Sequence, residues 1–267
     1  MMKKKYIYPL LLLFFAVAFW LVENFYVVDT YGSDAATQGP KGKIELLLPT
    51  STTGMVVHHD YYSLSYHERF EQAEWVAYEL TKAHLTYDDR KRPYFIEDPL
   101  VSTKSADWKN YRGSGFDRGH LCPAGDMRFS ESAYNQTFYT SNISPQENAF
   151  NGGIWNRLEQ KVRYWTKRYT SVFVVTGGIL ESGLPQIGDE EVAVPNYFYK
   201  VVAKGDIDNL QVVAFLMPHK ESSLPLERFL VPLDSLERLT GIDFFAQLPD
   251  AQEAMFEKGV NLEGWEF

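Results

Sequence analysis

The sequence predicts an α+β fold with a mostly antiparallel sheet core. Six runs rich in Tyr, Val and Phe have the composition of β-strands, and they outnumber the segments with helical periodicity. The strand-like runs do not alternate regularly with helices, an order that is typical of α+β rather than of α/β proteins. They cover residues 60–66, 74–81, 137–143, 171–180, 196–203 and 210–218.

The clearest helix is predicted over residues 152–169. Within it, Ile154, Leu158, Val162 and Trp165 recur at three- and four-residue spacing, which defines one apolar face. Two shorter helices are predicted where the pattern ends at a glycine, a residue that commonly follows helix C-termini. They cover residues 232–241 and 249–259.

The chain has 267 residues and a hydrophobic content of 45%, enough to bury a substantial core. Its net charge of −9 is opposite to the basic surface that most nucleic-acid binders present. The acidity is uneven, because residues 205–267 hold 12 acidic and 4 basic residues, a net −8, whereas residues 151–170 carry a net +4. The single cysteine, Cys122, excludes an internal disulfide and a thiolate zinc cluster.

The amino terminus has the pattern of a membrane anchor. Three lysines precede an uncharged apolar run of 17 residues, Tyr6 to Val22, close to the shortest length that spans a bilayer. We therefore expect residues 1–28 to form a signal anchor or transmembrane helix, residues 29–43 a flexible linker and residues 44–267 a globular domain outside the cytoplasm. The alternative is a secreted or periplasmic domain after signal cleavage.

Residues 116–127, FDRGHLCPAGDM, place three chemically useful side chains almost next to one another. His120 titrates near neutral pH and can act as a general base. Arg118 offers a planar guanidinium that matches phosphate oxygens, and Asp117 could fix the histidine tautomer or neutralise the arginine locally. Taken alone, this short stretch is more typical of a charged surface turn.

The segment that follows supplies oxygen ligands. Asn142, Asn151 and Glu159 lie before or within the predicted helix. The amide oxygen of Asn151 suits Mg²⁺, which often takes only one or two protein ligands. Glu159 lies about 12 Å further along a helix, so we expect it to act through metal-bound water. The alternative for Glu159 is a solvated pair with Arg163 at i+4.

Together these motifs resemble the DNA/RNA non-specific endonuclease family, in particular its endonuclease G-like members. DRGHLCPAGDM is similar to the family's Asp-Arg-Gly-His signature, and NISPQ with FNGGIWNRLE is similar to its metal-binding asparagine and following helix. The likeness continues in order over almost the whole chain from about His58. It implies a ββα-metal finger, in which a strand supplies the histidine and the next helical region supplies the metal ligand.

The resemblance implies a role for each matching position. His120 would be the general base that activates water, and Asn151 the direct ligand of Mg²⁺, for which Mn²⁺ could substitute. Glu159 would anchor metal-bound waters, and Arg118 would stabilise charge on the phosphorane. Asn142 would orient the phosphate or His120.

Four further positions have less defined roles. Asp117 belongs to the signature and is a candidate catalytic residue, but its role is the least defined. Cys122 stands where the family more often has alanine, and we expect no catalytic role for it. Arg157 and Lys161 lie in the basic segment and are candidates for binding phosphates; a solvated helix face explains them as well.

The implied activity is Mg²⁺-dependent hydrolysis of phosphodiester bonds in DNA and RNA without sequence preference, since metal and arginine contact only the phosphate backbone. One alternative is a sequence-specific HNH-type endonuclease, although no base-reading module is evident. Another is an inactive extracytoplasmic binding domain on the same fold. The expected partners are DNA, RNA, the membrane through the N-terminal helix, and a second copy of the chain in a homodimer.

Overall fold

The computed structural model describes residues 14–15, 45–257 and 259–267. The chain divides into two compact units, Met1–Ala36 and Thr37–Phe267. The predicted anchor, residues 1–28, and the predicted linker, residues 29–43, lie almost entirely outside the described residues. In the described part of the chain, no helix combines the length and the apolar composition that crossing a bilayer requires.

The second unit is built on a seven-stranded sheet in which every pair of neighbouring strands is antiparallel. Its strands are β1 (Val56–His58), β2 (Ser63–His67), β3 (Gln72–Thr81), β6 (Ser171–Gly178), β9 (Tyr197–Lys204), β10 (Gln211–Pro218) and β11 (Leu230–Val231). They are hydrogen-bonded in the order β1-β2-β3-β6-β9-β10-β11. Two small antiparallel pairs lie outside it: β4 (Asp117–His120) with β5 (Ile143–Gln146), and β7 (Gln186–Ile187) with β8 (Val192–Ala193). The predicted α+β architecture with a large antiparallel sheet is confirmed.

Between Glu45 and Phe267, as far as the structure describes this range, the helices are few and most are short. They are α1 (Glu131–Gln136), α2 (Asn148–Phe150), α3 (Asn156–Tyr169), α4 (Leu233–Thr240) and α5 (Asp250–Glu253). A π-type segment, Asn151–Trp155, joins α2 to α3. Short 3-10 turns cover Glu45–Leu47, Glu68–Phe70, Lys82–His84, Trp108–Tyr111, Ala124–Asp126, Thr140–Asn142, Ile207–Asn209 and Leu226–Phe229.

The large sheet is covered on both faces. On one face, Leu158, Val162 and Trp165 of α3 pack against side chains from β3, β6, β9 and β10. On the other face, Leu233 and Leu236 of α4 pack with the opposite side chains of the same strands. Because the central strands are buried on both sides, they read as near-continuous apolar runs, and this explains why they stood out in the sequence.

Two predicted elements differ from the structure. Residues 137–143 were expected to form a strand, but Thr140–Asn142 is a 3-10 turn and the strand begins only at Ile143. The buried amide of Asn142 bonds the main chain of Thr137 and Cys122, which favours a turn over an extended ladder. The helix expected over residues 249–259 is limited to α5, Asp250–Glu253.

The carboxyl-terminal residues pack against α3. The Trp265 ring packs edge-on against the Trp165 ring, with ring centroids 4.7 Å apart. Trp165 Nε1 donates to the Glu266 carbonyl at 2.7 Å, and Tyr169 Oη donates to the Gly264 carbonyl at 2.8 Å. The last residues are therefore part of the core that α3 forms with the sheet.

Candidate active site

The site is built on the small β4–β5 pair. Asp117 lies opposite Gln146, and His120 lies opposite Ile143. Gly119, between Arg118 and His120, has no room for a side chain, because an added Cβ would come within 2.2 Å of the Gln146 side-chain oxygen. The glycine thus lets β5 pack tightly behind the strand that carries the charged residues.

The His120 ring sits among aromatic side chains. Its centroid lies 4.9 Å from that of Phe138 and 5.6 Å from that of Phe95. Burial, and secondly the charge of Arg92, lower the pKa of His120 to about 3. Its Nε2 is buried and has no hydrogen-bond partner among the described residues. At neutral pH the ring is therefore an uncharged imidazole, the form that can accept a proton.

Two arginines, Arg92 and Arg118, lie next to the Phe95 ring. The Arg118 guanidinium carbon lies 4.7 Å from the Phe95 ring centroid, and that of Arg92 lies 5.3 Å from it. Arg118 also lies 5.9 Å from the Trp108 ring. Within the described ranges, neither guanidinium forms an ion pair. Both charges remain available to an anion beside His120.

Arg92 was missed in the sequence. It belongs to the basic run Arg90–Lys91–Arg92, followed by Pro93, Tyr94 and Phe95. A cluster of three cations next to aromatic residues could have indicated phosphate contacts. Its sequence separation of 28 residues from His120 gave no reason to connect the two, whereas in the folded chain both pack with Phe95 and Phe138.

Asp117 organises the candidate metal ligand. Its Oδ2 accepts hydrogen bonds from Asn151 Nδ2 at 3.0 Å and from Asn148 Nδ2 at 3.1 Å. Asn151 begins the π-type segment, where Gly153 departs from helical geometry with φ −97° and ψ −111°. The side chain of Asn151 is therefore held towards β4 instead of following the helix. The amide oxygen Oδ1 of Asn151 accepts no hydrogen bond from the residues that the structure describes.

Glu159 lies in the first turn of α3 and is mostly enclosed, with 14% of its side chain exposed. Burial raises its pKa to about 7, and the charges of Arg163 and Lys200 oppose that rise. Arg163 Nη2 reaches Glu159 Oε2 at 3.5 Å, while Arg163 Nε donates to Asp126 Oδ1 at 2.5 Å. The pair that the sequence suggested between Glu159 and Arg163 therefore exists, but it is largely enclosed rather than solvated.

Asn142 has a supporting position. It is fully buried, and its Oδ1 accepts from the Cys122 amide at 2.8 Å while its Nδ2 donates to the Cys122 and Thr137 carbonyls at 3.0 and 2.9 Å. These bonds fix the main chain that follows His120 and use all the donors and the acceptor of the amide. The structure thus connects Asn142 to His120 through the backbone and not through a phosphate.

Cys122 is buried within the core beside α3. Burial raises the pKa of its thiol well above the usual range. It is held as a neutral thiol, which is a poor nucleophile.

Arg157 and Lys161 lie away from the other candidates. Each is two residues from Glu159 along α3, which corresponds to about 200° around the helix. Arg157 donates to the carbonyls of Ser222 and Leu224 at 3.3 and 2.9 Å, and Lys161 lies 4.7 Å from the Tyr164 ring. The two residues expected to bind substrate therefore occupy the helix face opposite Glu159.

A strand carrying an unpaired arginine and a neutral histidine, next to a helix start carrying an oriented asparagine, is an arrangement suited to phosphodiester hydrolysis. The sequence profile of the DNA/RNA non-specific endonucleases matches residues 44–251. The chain belongs to this family of nucleic-acid-hydrolysing enzymes, which confirms the resemblance found in the sequence.

Curated relatives agree with this assignment. Mitochondrial endonuclease G of Homo sapiens is 38% identical over 201 residues, covering 68% of this chain and 67% of the relative. Nuclease C1 of Cunninghamella echinulata var. echinulata is 39% identical over 207 residues, covering 70% and 81%. The mitochondrial nuclease EXOG of Homo sapiens is 37% identical over 208 residues, and the match spans only 56% of that longer relative.

A solved structure shows the same fold. The chain is similar to a chain in the crystal structure of an EndoG/EndoGI complex, with a TM-score of 0.70 and 35% identity. The match covers 79% of this chain and 92% of that one.

The expected location must be corrected. The sequence suggested a domain outside the cytoplasm, held at a membrane by one N-terminal helix or released after cleavage. This prediction is wrong, because the similar nucleases from Homo sapiens, Xenopus laevis and Saccharomyces cerevisiae are named mitochondrial. Nor does the described part of the chain contain a helix that could span a bilayer.

Proposed function

We propose that the chain is a Mg²⁺-dependent endonuclease that hydrolyses phosphodiester bonds in DNA and RNA without sequence preference. The observation that carries the proposal is the neutral His120, whose buried Nε2 lacks a partner among the described residues and which has the unpaired Arg92 and Arg118 close by. A base without a proton and two cations without counter-ions are the groups that activation of a water and binding of a phosphate require.

His120 acts as the general base in this proposal. It accepts a proton from the attacking water, and it does so at neutral pH because its imidazole is already uncharged. Arg118 and Arg92 hold the non-bridging oxygens and stabilise the charge that develops on the pentacoordinate phosphorus. Because both guanidiniums are stacked on Phe95, little reorganisation is needed when the phosphate arrives.

The residues present fit a divalent cation. Asn151 would be the direct ligand through Oδ1, since its Nδ2 is engaged by Asp117. Glu159 would hold the cation's water ligands from α3, and Asp117 would act by orienting Asn151. When bound, Mg²⁺, or Mn²⁺ in its place, supplies charge stabilisation for the leaving oxygen.

Strands β4 and β5 and the helical region from Asn148 to Tyr169 have the order of a ββα-metal finger, and we assign that motif to them. We assign residues 44–267 to one nuclease domain, as the packing of the carboxyl terminus against α3 supports. A homodimer stays a prediction.

The substrate would be bound through its backbone. Two arginines and a cation recognise phosphate oxygens and carry no base information. This favours non-specific cleavage of both DNA and RNA over a sequence-specific HNH-type enzyme. The set of unpartnered polar groups around His120 likewise favours an active enzyme over an inactive binding domain.

A cleavage assay on the purified chain tests the proposal. Supercoiled plasmid and a structured RNA are each incubated with Mg²⁺ and with excess EDTA. Degradation of both nucleic acids to short pieces, abolished by EDTA, is the expected result. Discrete plasmid fragments would support the sequence-specific alternative, and inertness with every divalent ion would support the binding domain.

A further inference from the structure

A buried hydrogen-bond network lies close in sequence to the aromatic residues that surround His120. Its centre is Asp98, which is 2% exposed. His59 Nε2 bonds Asp98 Oδ2 at 2.9 Å, and the Ser141 hydroxyl donates to the same oxygen. The other oxygen, Oδ1, accepts from the Leu100 amide at 2.9 Å. Both oxygens of an enclosed carboxylate are therefore engaged.

An enclosed carboxylate needs a reason beyond stability. Burial alone would raise the pKa of Asp98, but hydrogen bonds from His59 and Ser141 bring it below its ordinary value, so the group stays ionised at neutral pH. Buried ionic groups are weak evidence for stability, and their best-attested use is to fix one arrangement of the chain. The His59 ring is itself confined, with its centroid 4.5 Å from that of Tyr62 and 5.2 Å from that of Tyr139.

The network joins two segments that share little sheet structure. Where the structure describes the chain, their backbones meet in one isolated bridge, between Ile96 and Tyr139. The Ile96 carbonyl also accepts from the Thr140 amide at 2.9 Å. Asp98 and Ser141 each lie two residues beyond the bridge, one on each segment. Their hydrogen bond therefore helps to fix the position of one segment against the other.

The same two segments carry the rings that enclose His120. Phe95 and Phe138 each lie one residue before the bridge, with their ring centroids 5.1 Å apart. The His120 ring lies 5.6 and 4.9 Å from these two rings. Arg92 and Arg118 both lie beside Phe95. A shift of one segment along the other would therefore displace the surroundings of the imidazole and of both guanidiniums.

We propose that Asp98 is a positioning residue for the reaction: with its two buried side-chain partners it holds the aromatic rings that orient His120. The inference rests on the proposed function in that His120 is taken as the general base. Because Asp98, His59 and Ser141 are almost fully buried, the network acts through the rings and not by touching the substrate.

A network kept only for stability would behave differently. Its loss would lower the unfolding temperature, but a chain that is still folded at the assay temperature would cleave at the unaltered rate. A positioning network would lower the rate in a folded chain, because a displacement of about 1 Å in a reacting group can cost about 100-fold.

Ser141→Ala is the mildest test, because it removes one donor to Asp98 and leaves the backbone in place. The matched control is Ser65→Ala. Ser65 is also buried, and its hydroxyl also donates to a buried carboxylate, Glu74 Oε1, at 2.6 Å. In the described part of the chain, the side chains of Ser65 and Glu74 hydrogen-bond only within residues 51–74. The control repeats the loss of a buried donor outside the two segments.

The first readout is single-turnover cleavage of plasmid DNA at a temperature where each variant is folded. We expect Ser141→Ala to lower the rate by about 10-fold or more. Ser65→Ala should stay within about twofold of the unaltered chain. An unchanged rate in Ser141→Ala, or equal losses in the two variants, would overturn the inference.

The second readout separates the hydrogen bond of His59 from the space that its ring fills. Glutamine keeps an N–H donor for Asp98, whereas leucine fills similar space without one. His59→Gln should stay within about threefold of the unaltered rate, and His59→Leu should lose about 10-fold or more. Equal rates in the two folded variants would contradict the inference. If His59→Leu does not fold, the comparison of Ser141→Ala with Ser65→Ala decides.

The third readout needs no catalysis. NMR signals of the His120 ring, assigned with His120→Gln, report its protonation in EDTA between pH 8 and pH 4.5. The unaltered ring should stay neutral over this range. If Ser141→Ala loosens the enclosing rings, water reaches the imidazole and its pKa should rise by about one unit or more towards the ordinary value. Ser65→Ala should titrate as the unaltered chain does, and an unchanged titration in Ser141→Ala would refute the inference.

Cleavage by the unaltered chain tests the proposed function separately. If that chain does not cleave nucleic acid, the proposed function fails, while the NMR comparison still decides whether the network sets the surroundings of His120.

Discussion

Asn151 Nδ2 donates a hydrogen bond of 3.0 Å to Asp117 Oδ2, and this contact helps to join the start of the helical region to the strand that carries His120. An amide has one acceptor oxygen, so engaging its nitrogen decides where that oxygen points. The contact gives the signature aspartate a physical role that its sequence position did not reveal. The direction of the Asn151 amide oxygen is therefore set by β4 as much as by the helix.

Asn151→Ala should raise the Mg²⁺ concentration needed for half-maximal cleavage by about tenfold or more, because the only direct protein ligand in our proposal is lost. Asn148→Ala is the matched control, since Asn148 makes the same kind of contact to Asp117 at 3.1 Å from an exposed position. Metal titrations of cleavage rate separate the two. Equal effects from both substitutions would mean that Asn151 merely supports Asp117.

His120→Gln should lower the cleavage rate by at least about 100-fold, because glutamine fills similar space but cannot accept the proton from water. The substrate KM should change little, since Arg92 and Arg118 are retained. Single-turnover cleavage measures the chemical step directly. A variant that kept more than a tenth of the rate would require another base.

The depressed pKa of His120 also predicts how stability depends on pH. The folded chain holds the imidazole neutral down to a pKa of about 3, whereas the unfolded chain binds a proton near the ordinary value of 6.5. Between these values the unfolded state binds more protons, so the free energy of unfolding falls as pH is lowered from 7 towards 4. Urea unfolding at pH 7 and pH 5 should show a smaller loss of stability in His120→Gln than in the unaltered chain. Identical losses would show that His120 is not desolvated in the folded protein.

The ion pair beneath the site is expected to be structural. Asp126 is 1% exposed and binds both Arg163 and Tyr78, so Asp126→Ala leaves a partly buried guanidinium and a buried hydroxyl without this acceptor. We expect a loss of about 3 kcal/mol in the free energy of unfolding. Arg238→Ala, which removes an exposed partner 4.0 Å from Asp234, should change it by less than about 0.5 kcal/mol. Chemical denaturation of both variants checks the contrast.

The sequence was informative where local pattern decides structure. Buried central strands and the periodic α3 could be located because their apolar residues follow one repeat, and the Asp-Arg-Gly-His motif with Asn151 is a resemblance that spans the whole site. The turn at Thr140–Asn142 could not be located, because the bonds of Asn142 to Cys122 cross 20 residues. A segment that contains Phe138, Tyr139 and Ile143 has the composition of a strand until that contact is known.

Long-range contacts also explain the missed residues. Arg92 lies beside His120 only in the folded chain, where both pack with Phe95 and Phe138, and Lys200 is buried because β9 lies under α3. In the sequence, Lys200 is a single charged residue within an apolar strand. A lysine that faces solvent would give the same pattern, so its burial could not be predicted. The assignment of Arg157 and Lys161 depended on charge alone, and charge does not specify which face of a helix a residue occupies.

The most direct test of the central claim is the position of a bound cation. A crystal of the chain soaked in Mn²⁺ gives an anomalous difference peak wherever the ion binds. Our account predicts a peak bonded to Asn151 Oδ1, with a water between it and Glu159 and with His120 facing the same space. A peak only at the acidic cluster of Asp234, Glu237 and Glu257, or side chains of His120 and Asn151 that face away from each other, would contradict it.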